Sequence, residues 1–194
     1  MDTSEADACD RVDMERLMAG HDAALNDLME RHATPVFRFL CRMLANEEDA
    51  NDLAQETFLR VYRARANFRT NEKFSTWLYT IAANLARNHF RWRTRHPNVS
   101  LDAETDTPGQ SLGNVLPSDA LPPSETALAT ERAAAVRTAV SRLPEDLREA
   151  IVLCEWEERS MAEAAAILDS TPKAIESRLY RARQILRERL KSWL

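Results

Sequence analysis

Residues 160–193 run SMAEAAAILDSTPKAIESRLYRARQILRERLKSW and carry the strongest structural signal in the chain. Ser160 followed three residues later by Glu163 matches a capping box: the serine oxygen accepts from the glutamate amide, and the glutamate reaches back to the serine amide. A short helix through Ala164, Ala165 and Leu168 comes next, and the small Ala164–Ala166 run permits close approach of a second helix. Asp169, Ser170 and Thr171 read as a turn, with Thr171-Pro172 placing an N-cap before proline at the first helical position. From Pro172 to about Trp193, Ile175, Leu179, Ala182, Leu186 and Leu190 fall within about 80° of arc at 100° per residue. The other side presents Lys173, Ser177, Arg181, Gln184 and Glu188. Short helix, tight turn and longer helix with a basic outer face is the helix-turn-helix arrangement. In a major groove Lys173, Ser177 and Arg181 would reach base edges or phosphates, with Arg178 and Arg183 on the flanks. An ordinary amphipathic helix can show a similar charged face, but the capping box, turn length and Thr-Pro start favour DNA.

Outward from that unit, a helix is expected from about Glu125 to Leu143, with Ala129, Ala133, Val136, Val140 and Leu143 inward. Pro144 starts the next, with Leu147, Ala150, Ile151 and Cys154 inward. Residues 97–123 hold Pro97, Pro108, Pro117, Pro122 and Pro123 and show no helical or strand period, so they read as an acidic linker. The expected organisation is a domain at 1–96, a linker at 97–123 and a helix-turn-helix domain at 124–194. In the first domain, helices are expected from Asp10 to Gly20, from Asp22 to Leu44 with a kink at Pro35, and from an Asn46 N-cap onward. The second of these carries Leu25, Leu28, Met29, His32, Val36, Leu40, Met43 and Leu44 at three- and four-residue spacing. Residues 68–74 break the pattern as a loop, and Ser75 is read as the cap of a helix reaching Arg95.

The fold class is therefore all-α: two small helical domains on a flexible tether. Composition agrees. Of 194 residues only 3 are Gly, against 8 Pro, too few for many β-hairpins. No apolar run approaches the ~20 residues that span a bilayer, and no export leader is visible, so no membrane insertion is expected. Cys9, Cys41 and Cys154 are odd in number and far apart, which argues for a reducing, cytoplasmic setting. His21, His32, His89 and His96 form no metal-ligand pattern, and no phosphate loop or nucleophile elbow is present, so neither cofactor nor enzymatic activity is expected. The net charge of -5 conceals segregation: residues 1–30 carry nine acids and two arginines, and residues 172–191 carry seven bases and two glutamates. Screening makes such local fields count more than their sum.

A second signal lies in residues 77–96. Asn84, Asn88, Arg91 and Arg95 recur near helical spacing, with Arg87 and Trp92 close by. Amides, arginines and aromatics on one helix suit bases taken out of a stack. Trp77 and Phe90 are better read as core.

The runs Asp49–Arg63, Phe74–Asn88, Leu143–Arg148 and Ser177–Arg183 resemble, in order and spacing, those of bacterial extracytoplasmic-function sigma factors of the sigma-70 family. The resemblance implies a region 2 domain, a linker and a region 4 domain. It implies binding to core RNA polymerase, with Asp49, Asp52, Gln55, Glu56, Arg60 and Arg63 on the clamp helices of the largest subunit and the second domain at the flap. Arg69, Asn71, Lys73, Asn84, Asn88, Arg91 and Arg95 would take the −10 element of promoter DNA, one base being flipped into a pocket. Thr171, Lys173, Ala174, Ser177, Arg178 and Arg181 would take the −35 element. An anti-sigma factor holding the protein until a stress signal is a further expected partner, since nothing read after Leu194 suggests a sensory domain. Asp169 stands where the family usually has glycine, Ala164 where a larger aliphatic is usual, and Ala174 and Glu176 where threonine and a base are common. The competing reading is a helix-turn-helix regulator acting without polymerase, although no ligand or receiver domain is legible.

Overall fold

The computed structural model describes residues 3–96 and 123–193, and among these every regular element is a helix. The first domain comprises α1 (Thr3–Met18), α2 (Ala24–Leu44), α3 (Glu47–Ala64) and α4 (Phe74–Arg95), with a single 3₁₀ turn at Arg65–Asn67. The expected start at Asp10 falls seven residues short, because the helix continues back to Thr3. Asp10 is not a terminus but a buried anchor: its carboxylate accepts from Arg31 Nε at 2.9 Å and stands 2.7 Å from His32 Nε2. Asp13 accepts from Arg31 Nη2 at 2.5 Å, so two acids of α1 clamp one arginine of α2. Gly20 takes the positive φ of 91° that lets the chain turn back. α2 runs unbroken through Pro35. Its Leu28, Val36, Phe39, Leu40 and Met43 are buried, while Met29 lies at the exposed margin of the stripe. Asn46 caps α3 as its sequence suggests, accepting from the Asp49 amide at 2.9 Å.

Ser75 is not a cap. α4 begins at Phe74 after Lys73, and Ser75 is buried one residue inside the helix. A serine before an apolar run is a weak signal when the preceding residues already carry the turn. Phe68, Phe74 and Trp77 gather there at centroid separations of 5.2 to 6.3 Å and close the 68–74 loop with an aromatic floor. His32 meets Phe74 edge-on at 5.2 Å, which ties that floor to the Asp10 anchor.

The second domain comprises α5 (Pro123–Ser141), α6 (Glu145–Ile151), α7 (Met161–Ile167) and α8 (Pro172–Arg189), closed by a 3₁₀ turn at Lys191–Trp193. The expected tether falls outside the described residues apart from Pro123, as does the side chain of Ala129. Val140 and Leu143 are buried as expected, but Ala133 is exposed: a methyl group contributes little by burial, so the stripe tolerates its loss. After α6 the chain widens into a π-helical turn at Val152–Trp156, capped by Glu157, and Glu158 just beyond it takes φ 52°. Ile175, Leu179 and Ala182 of α8 pack against Ala164, Ala165 and Ile167 of α7 and against α6. Asp169 adopts φ 49°, the left-handed turn that a short polar side chain tolerates.

The two domains touch. α4 packs against α7, and α2 packs against α5 and the π-helical turn. Arg148 donates to the Met43 carbonyl at 2.5 Å, across the junction, and to the Ser141 and Leu143 carbonyls of its own domain. Glu157 accepts from Arg42 at 3.0 Å and from the Tyr79 hydroxyl at 2.6 Å. Glu149 accepts from Arg87 Nε at 2.6 Å, and Arg159 donates to Ser75 Oγ at 3.1 Å while lying 4.7 Å over the Tyr79 ring.

Candidate nucleic-acid and polymerase interfaces

Three polar surfaces emerge. The first is on α4. At 100° per residue Asn84, Asn88, Arg91 and Arg95 fall within about 60° of arc, and all four are exposed. The face packed on the second domain, through Ser75, Tyr79, Arg87 and Phe90, is centred about 130° away. A helix thus divides its circumference: one face to its own core, one to the neighbouring domain, one open and cationic. Arg69 and Asn71 stand exposed in the adjoining loop, with Arg69 3.7 Å from Glu72. Lys73 differs from the rest. Its ammonium lies 3.0 Å from Glu163 and 3.2 Å from Asp7, and these bonds, that to Glu163 foremost, push its pKa upward.

The second surface is the outer side of α3. Asp52, Gln55, Leu59, Arg60 and Arg63 are exposed. Glu56 accepts from Arg60 at 2.7 Å, an i,i+4 pair of a few tenths of a kcal/mol. Asp49 stands 3.3 Å from His89 Nε2 and 3.7 Å from Arg93, which joins this helix to the end of α4. Leu59, 41% exposed in the middle of the polar face, was not singled out by sequence; a lone leucine at an outward heptad position is its only signal.

The third surface is α8. Thr171 accepts from the Ala174 amide at 3.2 Å, and the capping box at the head of α7 is complete: Ser160 Oγ accepts from the Glu163 amide and the Glu163 carboxylate accepts from the Ser160 amide. Burial raises the Glu163 pKa, yet the Ser160 bonds and Lys73 together bring it down to about 2. Lys173, Ser177 and Arg181 are exposed on one side, while Ala174 is half-buried. Arg178 and Arg181 stand 3.9 and 3.7 Å from Asp146, so the start of α6 restrains two arginines of the reading face. Arg183 is bound to Glu155 at 2.5 Å. Tyr180, 65% exposed between Ser177 and Arg181, is a further member of this face; an aromatic among polar positions is the signal that sequence reading passed over.

Comparison with known proteins shows the family of the chain. The family model described as Sigma-70 region 2 matches residues 28–96, and that described as Sigma-70, region 4 matches residues 133–186. The RNA polymerase sigma-H factor of Pseudomonas aeruginosa is 33% identical over 181 residues, 93% of each chain. The ECF RNA polymerase sigma factor SigW of Bacillus subtilis is 32% identical over 179 residues, 92% of this chain and 95% of its own. The ECF RNA polymerase sigma-E factor of Escherichia coli is 35% identical over 181 residues, 91% and 92% of the two chains. Among solved structures, CnrH in complex with the cytosolic domain of CnrY matches with a TM-score of 0.70 at 26% identity, covering 95% of this chain and 98% of that one. The sigma factor RpoE of Bartonella quintana, solved with the anti-sigma factor NepR, shares the fold at a TM-score of 0.63 and 23% identity, over 86% and 96% of the chains. With relatives above 30% identity along nearly its whole length and both helical regions matched, the chain belongs to the extracytoplasmic-function sigma factors of the sigma-70 family.

Proposed function

We propose that residues 1–96 bind core RNA polymerase and the −10 element, that 97–123 tether, and that 124–194 take the −35 element. The outer face of α3, with Asp49, Asp52, Gln55, Glu56, Arg60 and Arg63, meets the clamp helices of the largest subunit, and the second domain meets the flap. Asn84, Asn88, Arg91 and Arg95, with Arg69, Asn71 and Lys73 of the loop, hold the −10 strand: amides bond base edges, and guanidinium groups carry the backbone charge. Thr171, Lys173, Ala174, Ser177, Arg178 and Arg181 enter the −35 major groove. The observation that carries this reading is the convergence of four separated polar residues on one open face of α4 in a chain that also has a complete helix-turn-helix. The protein acts in the cytoplasm and is held by an anti-sigma factor, as the CnrH and RpoE structures, each solved with a partner, suggest.

Run-off transcription with core enzyme over a promoter pool tests the division of labour. Asn84→Ala with Asn88→Ala should cut initiation at every responsive promoter while leaving duplex −35 binding intact. Lys173→Ala with Arg181→Ala should weaken −35 binding by about thirtyfold or more, at ~1–3 kcal/mol for each base-reading side chain, and flatten its salt dependence. Failure to comigrate with core polymerase on gel filtration would overturn the reading in favour of a regulator that acts without it.

A further inference from the structure

We infer that Glu176 selects cytosine at one position of the −35 element, giving this chain a base preference that its lysine and arginines alone would not specify. The inference rests on the placement of α8 in the −35 major groove proposed above.

The outer face of α8 is of mixed sign. At 100° per residue Lys173, Tyr180 and Glu176 fall within about 60° of arc, and all three are exposed. Ser177, Arg181 and Arg178 follow round the helix on the other side of Lys173. Ionic partners are unevenly shared across this face. Arg178 and Arg181 stand 3.9 and 3.7 Å from Asp146, and Arg183 is bound to Glu155 at 2.5 Å. Arg183 projects within about 20° of the direction of Glu176, two turns further on, yet its partner belongs to the π-helical turn. Among the described residues Glu176 itself has neither a hydrogen bond nor an ion pair.

The fold makes no use of this acid. Ile175, Leu179 and Ala182 carry the packing of α8, and Glu176 lies about 90° from the centre of their stripe. As the fifth residue of α8 it stands beyond the first turn, where the helix dipole would favour a negative charge. It does stand in the N-terminal part of the second helix of a helix-turn-helix, which is the part that reaches base edges.

A carboxylate has few partners in a major groove, because it accepts hydrogen bonds and donates none. Phosphates repel it, and so do guanine N7 and O6 and thymine O4. Adenine offers its N6 donor beside the N7 acceptor, whereas cytosine offers the N4 donor with no acceptor on the same base. Glu176 therefore discriminates twice, by bonding cytosine N4 and by repelling the edges that present acceptors. Lys173, on the same face three residues earlier, offsets part of the repulsion from the DNA backbone as the carboxylate enters the groove.

Selection from a promoter library tests the assignment. Duplexes randomised across the −35 segment are bound by the full chain on core polymerase, recovered and sequenced. Wild type should enrich cytosine at one position by about tenfold over the other bases. Glu176→Ala should flatten that position and leave the rest of the recovered sequence unchanged. Glu176→Gln should move the preference to adenine, because an amide both accepts from N6 and donates to N7. Cytosine retained in either variant overturns the assignment, and so does a gain in binding by Glu176→Ala that is equal for every sequence, the mark of an acid that is only repelled. Both results leave α8 as the −35 reader. Recovery of no preferred −35 sequence by wild type overturns the function proposed for residues 124–194, and this inference with it.

Discussion

Ala45 holds a left-handed conformation, φ 53°, at the end of α2, with its amide donating to Cys41 O at 2.9 Å. Alanine has no side-chain group to compensate for the crowding of its Cβ there. Ala45→Gly should raise unfolding free energy by about 1 kcal/mol, read by urea titration, whereas glycine at the solvated Asp52 should lower it. Asp169 carries the same strain, φ 49°, with a better-suited side chain, and the sequence marked this position only through the resemblance, which has glycine there. Ser75 misled for a different reason: its oxygen serves Arg159 of the other domain, a partner 84 residues away that no local pattern contains. Cys41 is a half-buried thiol whose pKa is pushed up to about 11, by burial first and by Glu47 next, which suits packing better than redox chemistry.

At the scale of elements, caps and stripes were legible and electrostatic neighbours were not. The Asn46, Ser160 and Thr171 caps and the Ile175–Leu179–Ala182 stripe follow from local spacing. The clasp of Lys73 between Asp7 and Glu163 joins three separate elements and cannot be read from any one of them. It also enters the pH response of α7. The folded pKa of Glu163 lies at about 2, below the ordinary 4.5, so the stability it contributes is present above about pH 4.5 and lost as pH falls toward 2. Ser160→Ala should therefore cost about 1 kcal/mol at neutral pH. The gap between variant and wild type should shrink as the pH is lowered through that window, monitored by circular dichroism in urea.

For the whole molecule, Arg148 is the side chain on which most depends. It serves one carbonyl of the first domain and two of its own, and burial lowers its pKa although Glu145 opposes this. Arg148→Ala should remove about 2–4 kcal/mol from unfolding free energy, since the Met43, Ser141 and Leu143 carbonyls lose a buried charged donor; denaturant titration of the intact chain measures it. The resemblance named the run Leu143–Arg148, yet the reach of Arg148 to Met43 came only with the fold, because it requires α2 and α6 to meet.

The π-helical turn at Val152–Trp156 has one such consequence of its own. It interposes a residue between α6 and the downstream chain, so Glu155 meets Arg183 within its domain while Glu157, two positions on, faces Arg42 and Tyr79 across the junction. Removing a single residue from this turn would rotate everything downstream by about 100°. The acid that clasps the other half would then point elsewhere. In a sibling protein one amino acid shorter here, the same two modules would have to meet by different partners or stay apart.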